Sequence, residues 1–190
     1  MCTLVSLTPD LWNVLAGEAA RIGSAVYVDP RLDLTHRRVL AAASAGDVEY
    51  ALTEQLLNLV GQVIEQIRVG ARPAGARPAR TDGALVAAAR RVILDDDPAA
   101  TGLFPLADLL GVSPYRLSRA FTRELGVSVT RYRNRVRLGR ALDRLENGEP
   151  NLAALAADLG FADQAHLSRM MSEQMGHTPK ALRRLLTNAA

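Results

Sequence analysis

Arginine is the side chain whose placement carries the most chemical information in this sequence. Nine arginines lie between Ser113 and Arg144, against only Glu124 and Asp143 as acids in the same stretch. Lys180 is the single lysine of the chain. Because the guanidinium forms paired hydrogen bonds to phosphate and to guanine, such a stripe indicates a polyanionic partner. A solvated helix surface explains the charge equally well, and charge alone does not separate the two.

Other side chains that often perform chemistry are poorly placed for it. His36, His166 and His177 show no metal-binding spacing, and Cys2, the only cysteine, has no evident base to activate it. A single cysteine also excludes an intrachain disulfide and fits a reducing cytoplasm. We interpret Asp95–Asp97 as a solvated turn. The sequence therefore predicts a protein that is not an enzyme and that uses neither a metal nor a cofactor.

Length and composition are those of a globular protein of one or two domains. The chain has 190 residues, of which 48% are hydrophobic and 23% charged. It contains no apolar run of the roughly 18 residues that a membrane span needs. No basic segment precedes an apolar stretch at the N-terminus, so we expect no secretory signal and no membrane partner.

Residues 70–81 separate two parts of the chain. Between Gly70 and Arg80 lie two prolines, two glycines and three arginines with no acid, which is typical of an exposed linker. Residues 1–69 read as short helices, with Thr3–Leu7 and Val26–Val28 as possible short strands. Cap signals predict helices over 8–20, 29–45 and 47–68, the last two forming a helical hairpin.

The second helix of this hairpin has an unusually wide apolar face. It combines two stripes at helical spacing, Leu52, Leu56, Leu59 and Val63 in one, and Leu57, Val60, Ile64 and Ile67 in the other. One stripe packs on the preceding helix, and the other needs a further partner. We favour a second copy of the chain, giving a homodimer through Leu57, Val60, Ile64 and Ile67. The alternative is that this face packs on the N-terminal segment of the same chain.

The C-terminal half contains an internal repeat. Residues 106–119, LADLLGVSPYRLSR, align with residues 155–169, LAADLGFADQAHLSR, at an offset of 49 that becomes 50. Each unit reads as a short helix, a turn at glycine and a second helix ended by a glycine. This is the layout of a helix-turn-helix.

The second helix of each unit is polar on one face. In the first unit Leu117, Phe121 and Leu125 face inward, and in the second Leu167, Met171 and Met175 do. The outward residues are Tyr115, Arg116, Ser118, Arg119, Thr122 and Arg123 in the first unit, and His166, Ser168, Arg169 and Ser172 in the second. A polar helical turn of this kind fits a DNA major groove.

A single long helix is predicted between the units, over Thr130–Glu146. Arg133, Arg137, Arg140 and Arg144 are spaced 4, 3 and 4 apart and form one basic ridge along it. At 1.5 Å per residue the helix is about 25 Å long, which makes it a rigid spacer between the two units.

Residues from about 83 to 186 resemble the DNA-binding domain of AraC/XylS-type bacterial transcription regulators. The residues that carry the likeness are LADLLGVS at 106–113, YRLSRAF at 115–121, YRNRVRLGRAL at 132–142, Gly160-Phe161, Leu167-Ser-Arg169 and Gly176-His-Thr-Pro179. Residues 1–69 resemble, less extensively, the helical tail of this family's sensor domain. The β-barrel that usually precedes that tail and holds an effector is absent from the sequence, so we expect no intact effector pocket of that type.

The resemblance implies a mainly α fold, in which a seven-helix domain carries two helix-turn-helix subdomains joined by a long helix. It implies double-stranded DNA as partner, read through consecutive major grooves in the bacterial cytoplasm at the nucleoid, and a contact with RNA polymerase. By position, the base-reading residues would be Tyr115, Ser118, Arg119, Gln164, Ser168 and Arg169. The phosphate contacts would be Arg116, Thr122, Arg123, Arg133, Arg137, Arg140 and His166.

The sequence thus predicts a sensor-domain remnant at 1–69, a linker at 70–81 and a DNA-binding domain at 82–190. The function predicted is sequence-specific DNA binding by a transcription regulator. The alternative is a shortened regulator that pairs with a full-length homologue through the hairpin and modulates it.

Overall fold

The computed structural model of the chain describes residues 6–16, 27–45, 48–70 and 80–187. Within these ranges ten α-helices form and no strand does. The helices are α1 (Pro9–Ala16), α2 (Pro30–Ala45), α3 (Thr53–Gly70), α4 (Arg80–Leu94), α5 (Leu103–Leu109), α6 (Pro114–Leu125), α7 (Val129–Glu146), α8 (Leu152–Asp158), α9 (Gln164–Met175) and α10 (Pro179–Thr187). A π-helical turn, Val48–Leu52, leads into α3, and a 3-10 turn, Pro98–Thr101, precedes α5. The predicted mainly α fold, with seven helices from α4 to α10, is confirmed.

The internal repeat folds twice in the same way. Helices α5 and α6 are joined by a turn at Gly111, and α8 and α9 by a turn at Gly160, with φ of 64° and 70°. Gly126 and Gly176 end α6 and α9 in the left-handed conformation, with φ of 72° and 75°. Glycine adopts this conformation without the Cβ clash that other residues suffer. The equivalent glycines therefore set the same helix lengths and the same turns in both units.

Two separate hydrophobic cores result, and each defines a lobe. In the first lobe α4, α5 and α6 bury side chains including Val86, Ile93, Leu106, Leu117 and Phe121. In the second lobe α8, α9 and α10 bury Leu155, Phe161, Leu167, Met171 and Leu182.

Helix α7 belongs to both lobes. Its first half contributes Tyr132 and Val136 to the first core, and its second half contributes Leu138, Leu142 and Leu145 to the second. Because Val136 and Leu138 are about 200° apart around a helix, the two cores lie on different sides of α7.

The N-terminal hairpin packs on the second lobe. Leu34 of α2 is buried in the second core, and α2 passes over α7 beside Gly139, where an added Cβ would lie 3.7 Å from Asp33 Oδ2. Arg37 donates to Asp143 Oδ1 at 2.7 Å and to Glu146 Oε2 at 2.8 Å, both on α7. Burial opposes the charge on Arg37, but its acidic neighbours prevail and raise its pKa. The hairpin is therefore fixed to α7 by apolar contact and ion pairs together.

Within the hairpin, α2 and α3 are joined by a buried polar contact as well as by packing. The amide Nε2 of Gln62 donates to the hydroxyl of Thr35 at 2.9 Å.

The residues of α3 predicted to form a dimer interface differ in exposure. Ile64 is buried, with 4% of its surface exposed, whereas Leu57 is 53% exposed. Of the four residues predicted to form a dimer interface, Ile64 is thus buried within its own chain.

The N-terminal elements follow the predicted caps. Thr8 Oγ1 accepts the N–H of Leu11 at 3.3 Å, and Asp29 Oδ1 accepts the N–H of Leu32 at 2.9 Å. Helix α2 has the predicted bounds. Residues 1–5, 17–26 and 71–79 lie outside the described residues, which leaves most of Thr3–Leu7 and of the linker as predictions. Of the second possible strand, Val26–Val28, Tyr27 and Val28 are described and form no strand.

Tyr27 extends the first core from the N-terminal side. Its ring centroid lies 6.3 Å from that of Tyr132, and burial raises the pKa of its hydroxyl to about 12, although Arg135 and Arg131 favour the phenolate. In the unfolded chain the ordinary pKa is 10.0. The folded state therefore keeps a proton that the unfolded state loses.

We expect the stability that Tyr27 contributes to be complete below about pH 10 and to fall as the pH rises toward about 12. The Tyr27→Phe variant should lose less stability over this range than the parent protein. The measurement is urea unfolding at a series of alkaline pH values. Tyr50→Phe, at a tyrosine that is 78% exposed, is the matched control and should follow the parent. Identical pH profiles for Tyr27→Phe and Tyr50→Phe would contradict the prediction.

Candidate nucleic-acid interface

Helix α6 presents a rigid polar surface. The Ser113 hydroxyl accepts the N–H of Arg116 at 3.2 Å, and Pro114 occupies the first helical position. Leu117 and Phe121 anchor the opposite face, each with 0% of its surface exposed. The cap fixes the first turn and the buried anchors fix the rotation of the helix. The outward side chains of α6 are therefore held in defined positions.

Tyr115 and Arg119 form a pair on this outward face. Arg119 Nη1 donates to the Tyr115 hydroxyl at 2.7 Å, and its guanidinium carbon lies 5.5 Å from the tyrosine ring centroid. The hydrogen bond to Tyr115 raises the pKa of Arg119. Tyr115 is 69% exposed, which is unusual for so large a ring. The contact orients the arginine side chain at the surface before any partner arrives.

Helix α9 repeats the arrangement with smaller side chains. The Asp163 carboxylate caps it by accepting the N–H of His166 at 2.7 Å. Gln164 and Arg169 are exposed, and Ser168 is half-buried. His166 Nδ1 accepts the N–H of Ala162 at 3.3 Å, which leaves Nε2 as the protonated nitrogen of the neutral ring. That N–H is a hydrogen-bond donor of the kind that a phosphate oxygen accepts.

The arginine ridge of α7 is engaged inside the chain and contacts the two lobes in alternation. In the first lobe, Arg133 donates to the backbone carbonyl of Thr101, and Arg140 donates to Asp96 Oδ1 at 2.6 Å and to the Leu94 carbonyl at 2.8 Å. These contacts tie α7 to the segment between α4 and α5.

The other two ridge arginines contact the second lobe. Arg137 Nη1 donates to the Gly160 carbonyl at 3.1 Å, and its guanidinium lies 5.9 Å from the Phe161 ring centroid. Arg144 donates to Glu149 and, at 3.4 Å, to Asp158. The contact with Arg144 lowers the pKa of Glu149. One helix face thus connects both lobes through four consecutive ridge positions.

Arg137 lacks a carboxylate partner among the described residues. Burial lowers the pKa of its guanidinium, and the like charges of Arg133 and Arg140 lower it further. Its position depends on a backbone carbonyl and an aromatic ring, both of which accept a cation without neutralising it.

The predicted phosphate-contacting arginines of α6, Arg116 and Arg123, differ in their surroundings. Arg116 is exposed and has no ion pair within the described part of the chain. Arg123 forms an ion pair with Asp82, which is only 8% exposed, and this pair ties α6 to α4. Together with Arg133, Arg137 and Arg140, Arg123 is not the free surface charge that the sequence suggests. The phosphate role of these four arginines stays a prediction.

Sequence reasoning missed the acidic partners of these arginines. Asp82 lies in the first turn of α4, Asp96 in the turn after α4, and Glu149 in the connection between α7 and α8. The signal that could have indicated one of them is the acidic turn Asp95–Asp97 in a basic half of the chain. Asp97 caps the 3-10 turn by accepting the N–H of Ala99 at 2.8 Å, whereas Asp96 pairs with Arg140.

Comparisons with known proteins agree with this architecture. Residues 106–185 match the family described as a helix-turn-helix domain. The chain is 31% identical over 78 residues to the HTH-type transcriptional activator RhaS of Escherichia fergusonii. This alignment covers 41% of the chain and 28% of RhaS. The chain is also 33% identical over 72 residues to the arabinose operon regulatory protein of Escherichia coli. This second alignment covers 38% of the chain and 25% of the regulatory protein. The aligned part thus spans less than a third of either relative.

A solved structure is similar over a larger share of the chain. The C-terminal domain of AraT, a response regulator from Geobacillus stearothermophilus, superposes with a TM-score of 0.50 at 28% identity. The superposition covers 57% of this chain and 88% of that one. None of the helices in the described ranges is long and apolar enough to cross a membrane. No group of three metal-ligating side chains comes together in those ranges either.

The contact of Arg137 with Gly160 is testable with a matched pair of glycines. An added Cβ at Gly160 would lie 2.7 Å from Arg137 Nη2, whereas one at Gly111 would meet nothing within 4 Å. Both substitutions to alanine cost about 1–2 kcal/mol from the left-handed backbone. We expect Gly160→Ala to cost about 1 kcal/mol more than Gly111→Ala, because Arg137 must give up its hydrogen bond.

Urea unfolding of the two variants gives both values. In an Arg137→Gln background the two glycine substitutions should cost the same. A difference that persists without the guanidinium would show that Arg137 does not cause it.

Proposed function

We propose that this chain is a transcription regulator of the AraC type that binds specific sites in double-stranded DNA through both of its repeated units, since residues 106–185 match the helix-turn-helix family. The observation that carries the proposal is the repetition of one surface. Helices α6 and α9 have equivalent caps, equivalent buried anchors and outward polar faces, and both are attached to one long helix. The relatives named as an activator and an operon regulator support a role in transcription. We propose that the chain acts at the bacterial nucleoid.

Each recognition helix would enter a major groove and read base edges there. We propose Tyr115, Ser118 and Arg119 as the base-reading residues of α6, and Gln164, Ser168 and Arg169 as those of α9. The Tyr115 hydroxyl orients Arg119, and an oriented guanidinium loses less conformational freedom when it binds guanine. Helix α6 would therefore contribute more specificity than α9, whose Arg169 has no such neighbour among the described residues.

Phosphate contacts would come from side chains beside the reading faces. We propose Arg116, Thr122 and His166 for this role, since they are exposed or half-exposed. Arg116 and His166 follow the N-caps of α6 and α9, and Thr122 lies further along α6. For Arg133, Arg137 and Arg140 we propose a different role from the one that the sequence suggests. Their contacts would set the spacing of the two recognition helices, and so the length of DNA between the half-sites.

The reading role of Arg119 is tested against the positioning role of Arg116. Arg119→Ala should weaken binding to the specific site by about 1–3 kcal/mol and relax preference at one or two base pairs. Arg116→Gln should weaken binding to all sequences alike and reduce the slope of log affinity against log salt by about 1.

Both variants are measured by fluorescence anisotropy on the specific site and on scrambled duplexes at several salt concentrations. An equal loss for Arg119→Ala on specific and scrambled DNA would contradict a reading role. No binding of the parent protein to any duplex would contradict the function itself.

We also propose that the chain forms a homodimer through the exposed face of α3. Leu57, Val60 and Ile67 are exposed or half-exposed there, and Tyr50, on the preceding π-helical turn, is 78% exposed. The alternative of pairing with a longer homologue uses the same face and stays a prediction.

Leu57→Glu should convert the dimer into a monomer, because a buried carboxylate without a partner is costly at an apolar interface. Sedimentation velocity measures this directly. Asn58→Glu, at an exposed polar position beside it, is the matched control and should leave the dimer intact. Ile64 is unsuitable for the test because it is buried within the chain. A Leu57→Glu variant that stays dimeric would place the interface elsewhere.

A further inference from the structure

A cavity lies where the hairpin, the long helix and the second recognition helix meet. Its volume is about 240 Å³, and its lining comes from α2, α7 and α9 together with the cap of α7. Pro30 and Met170 supply apolar side chains to the lining. Leu138 also lines the cavity, but it is 0% exposed and belongs to the second core, so it closes the cavity without offering accessible surface.

The rest of the lining is polar and positively charged. Arg131 and Arg135 lie one turn apart on α7, and Asn134 and Gln174 add side-chain amides. No aspartate or glutamate is among the described residues that line the cavity. Within the described part of the chain, no hydrogen bond or ion pair engages either guanidinium. This contrasts with the ridge arginines on α7, each of which has a partner inside the chain.

Arg135 and Arg131 also lower the pKa of Tyr27, against the larger effect of burial. Two cations without an acidic partner in the lining, beside the apolar side chains of Pro30 and Met170, match a molecule with one anionic group and a short hydrocarbon body.

We propose that this cavity binds a small organic monocarboxylate, with the carboxylate on Arg131 and Arg135 and the hydrocarbon part on Met170 and Pro30. A volume of about 240 Å³ lies just below the range of about 300–1,000 Å³ for typical ligand pockets, so the ligand is small. A DNA phosphate is less suited to this cavity, because a phosphate makes no contact with apolar side chains and because Arg135 is half-buried. The ligand would contact the hairpin through Pro30 and α9 through Met170 and Gln174.

The proposal is independent of DNA binding, so it is tested on the full chain without DNA. The probe is sodium hexanoate, with 1-hexanol as the uncharged control and hexylammonium as the control of opposite charge. The reporter is the methyl resonance of Met170 in protein labelled with ¹³C at the methionine methyl groups. Met175, which is buried in the second core and does not line the cavity, is the internal reference.

We expect hexanoate to shift the Met170 resonance saturably, with affinity near 1 mM, a value of order −4 kcal/mol. Neither control compound should do so. Arg135→Gln should weaken hexanoate binding at least tenfold, and Arg131→Gln, at an exposed position, should weaken it as well. Arg116→Gln, on α6, should bind hexanoate like the parent protein.

Three results would overturn the proposal. They are the absence of a saturable shift, an equal response to hexanol, and unchanged affinity in both Arg135→Gln and Arg131→Gln. If duplex DNA shifts the Met170 resonance and hexanoate does not, the two arginines contact phosphate and the ligand site is also overturned.

Discussion

The relative position of the two lobes depends on one row of four arginines on α7. Arg133 and Arg140 contact the first lobe, and Arg137 and Arg144 contact the second. Since the four arginines are spaced 4, 3 and 4 residues apart, they lie on one face of the helix. Along this row, the contacted residues alternately precede and follow α7 in the sequence. The two cores that share α7 already place the lobes on different sides of this helix. The alternating arginine contacts add a second, polar constraint on the rotation of each lobe about the helix axis.

This arrangement places like charges close together, and the surroundings compensate for it unevenly. Arg140 and Arg144 have carboxylate partners, whereas Arg137 has a carbonyl and an aromatic ring. Ion pairs at partly exposed positions contribute little to stability one by one, about 0–1 kcal/mol each. Their effect here is geometric, because each guanidinium donates to a segment near a helix end in one of the two lobes. Arg137 alone among them contacts the turn that leads into a recognition helix, α9. The stripe of positive charge is thus divided between internal contacts and exposed groups such as Arg116 and Arg119.

The hairpin contributes to the second lobe rather than standing apart from it. Leu34 completes a core that α7, α8, α9 and α10 otherwise form, and Arg37 pairs with two acids of α7. A helix that would hold two copies together is therefore rigidly connected to the second recognition helix in its own copy. In a dimer of this kind, the geometry between the two copies would be passed directly to the DNA-reading surfaces. The cavity between α2, α7 and α9 lies at that same junction.

The sequence by itself determined the local structure of this protein. Caps such as Ser113 and Asp163 and the terminating glycines Gly126 and Gly176 are local signals, because the groups that they satisfy lie within four residues. The repeat then identified two equivalent helix-turn-helix units and their outward residues, since a helix period assigns each side chain to a face.

Tertiary structure decided which charges are exposed and which are engaged. The sequence shows that Arg137 lies on a polar face, but not that Gly160, 23 residues later, occupies that face. It shows a wide apolar surface on α3, but not that Ile64 is covered within the chain while Leu57 is exposed. Contacts between residues far apart in sequence depend on how whole helices pack, and a periodic pattern along one helix contains no information about its neighbour.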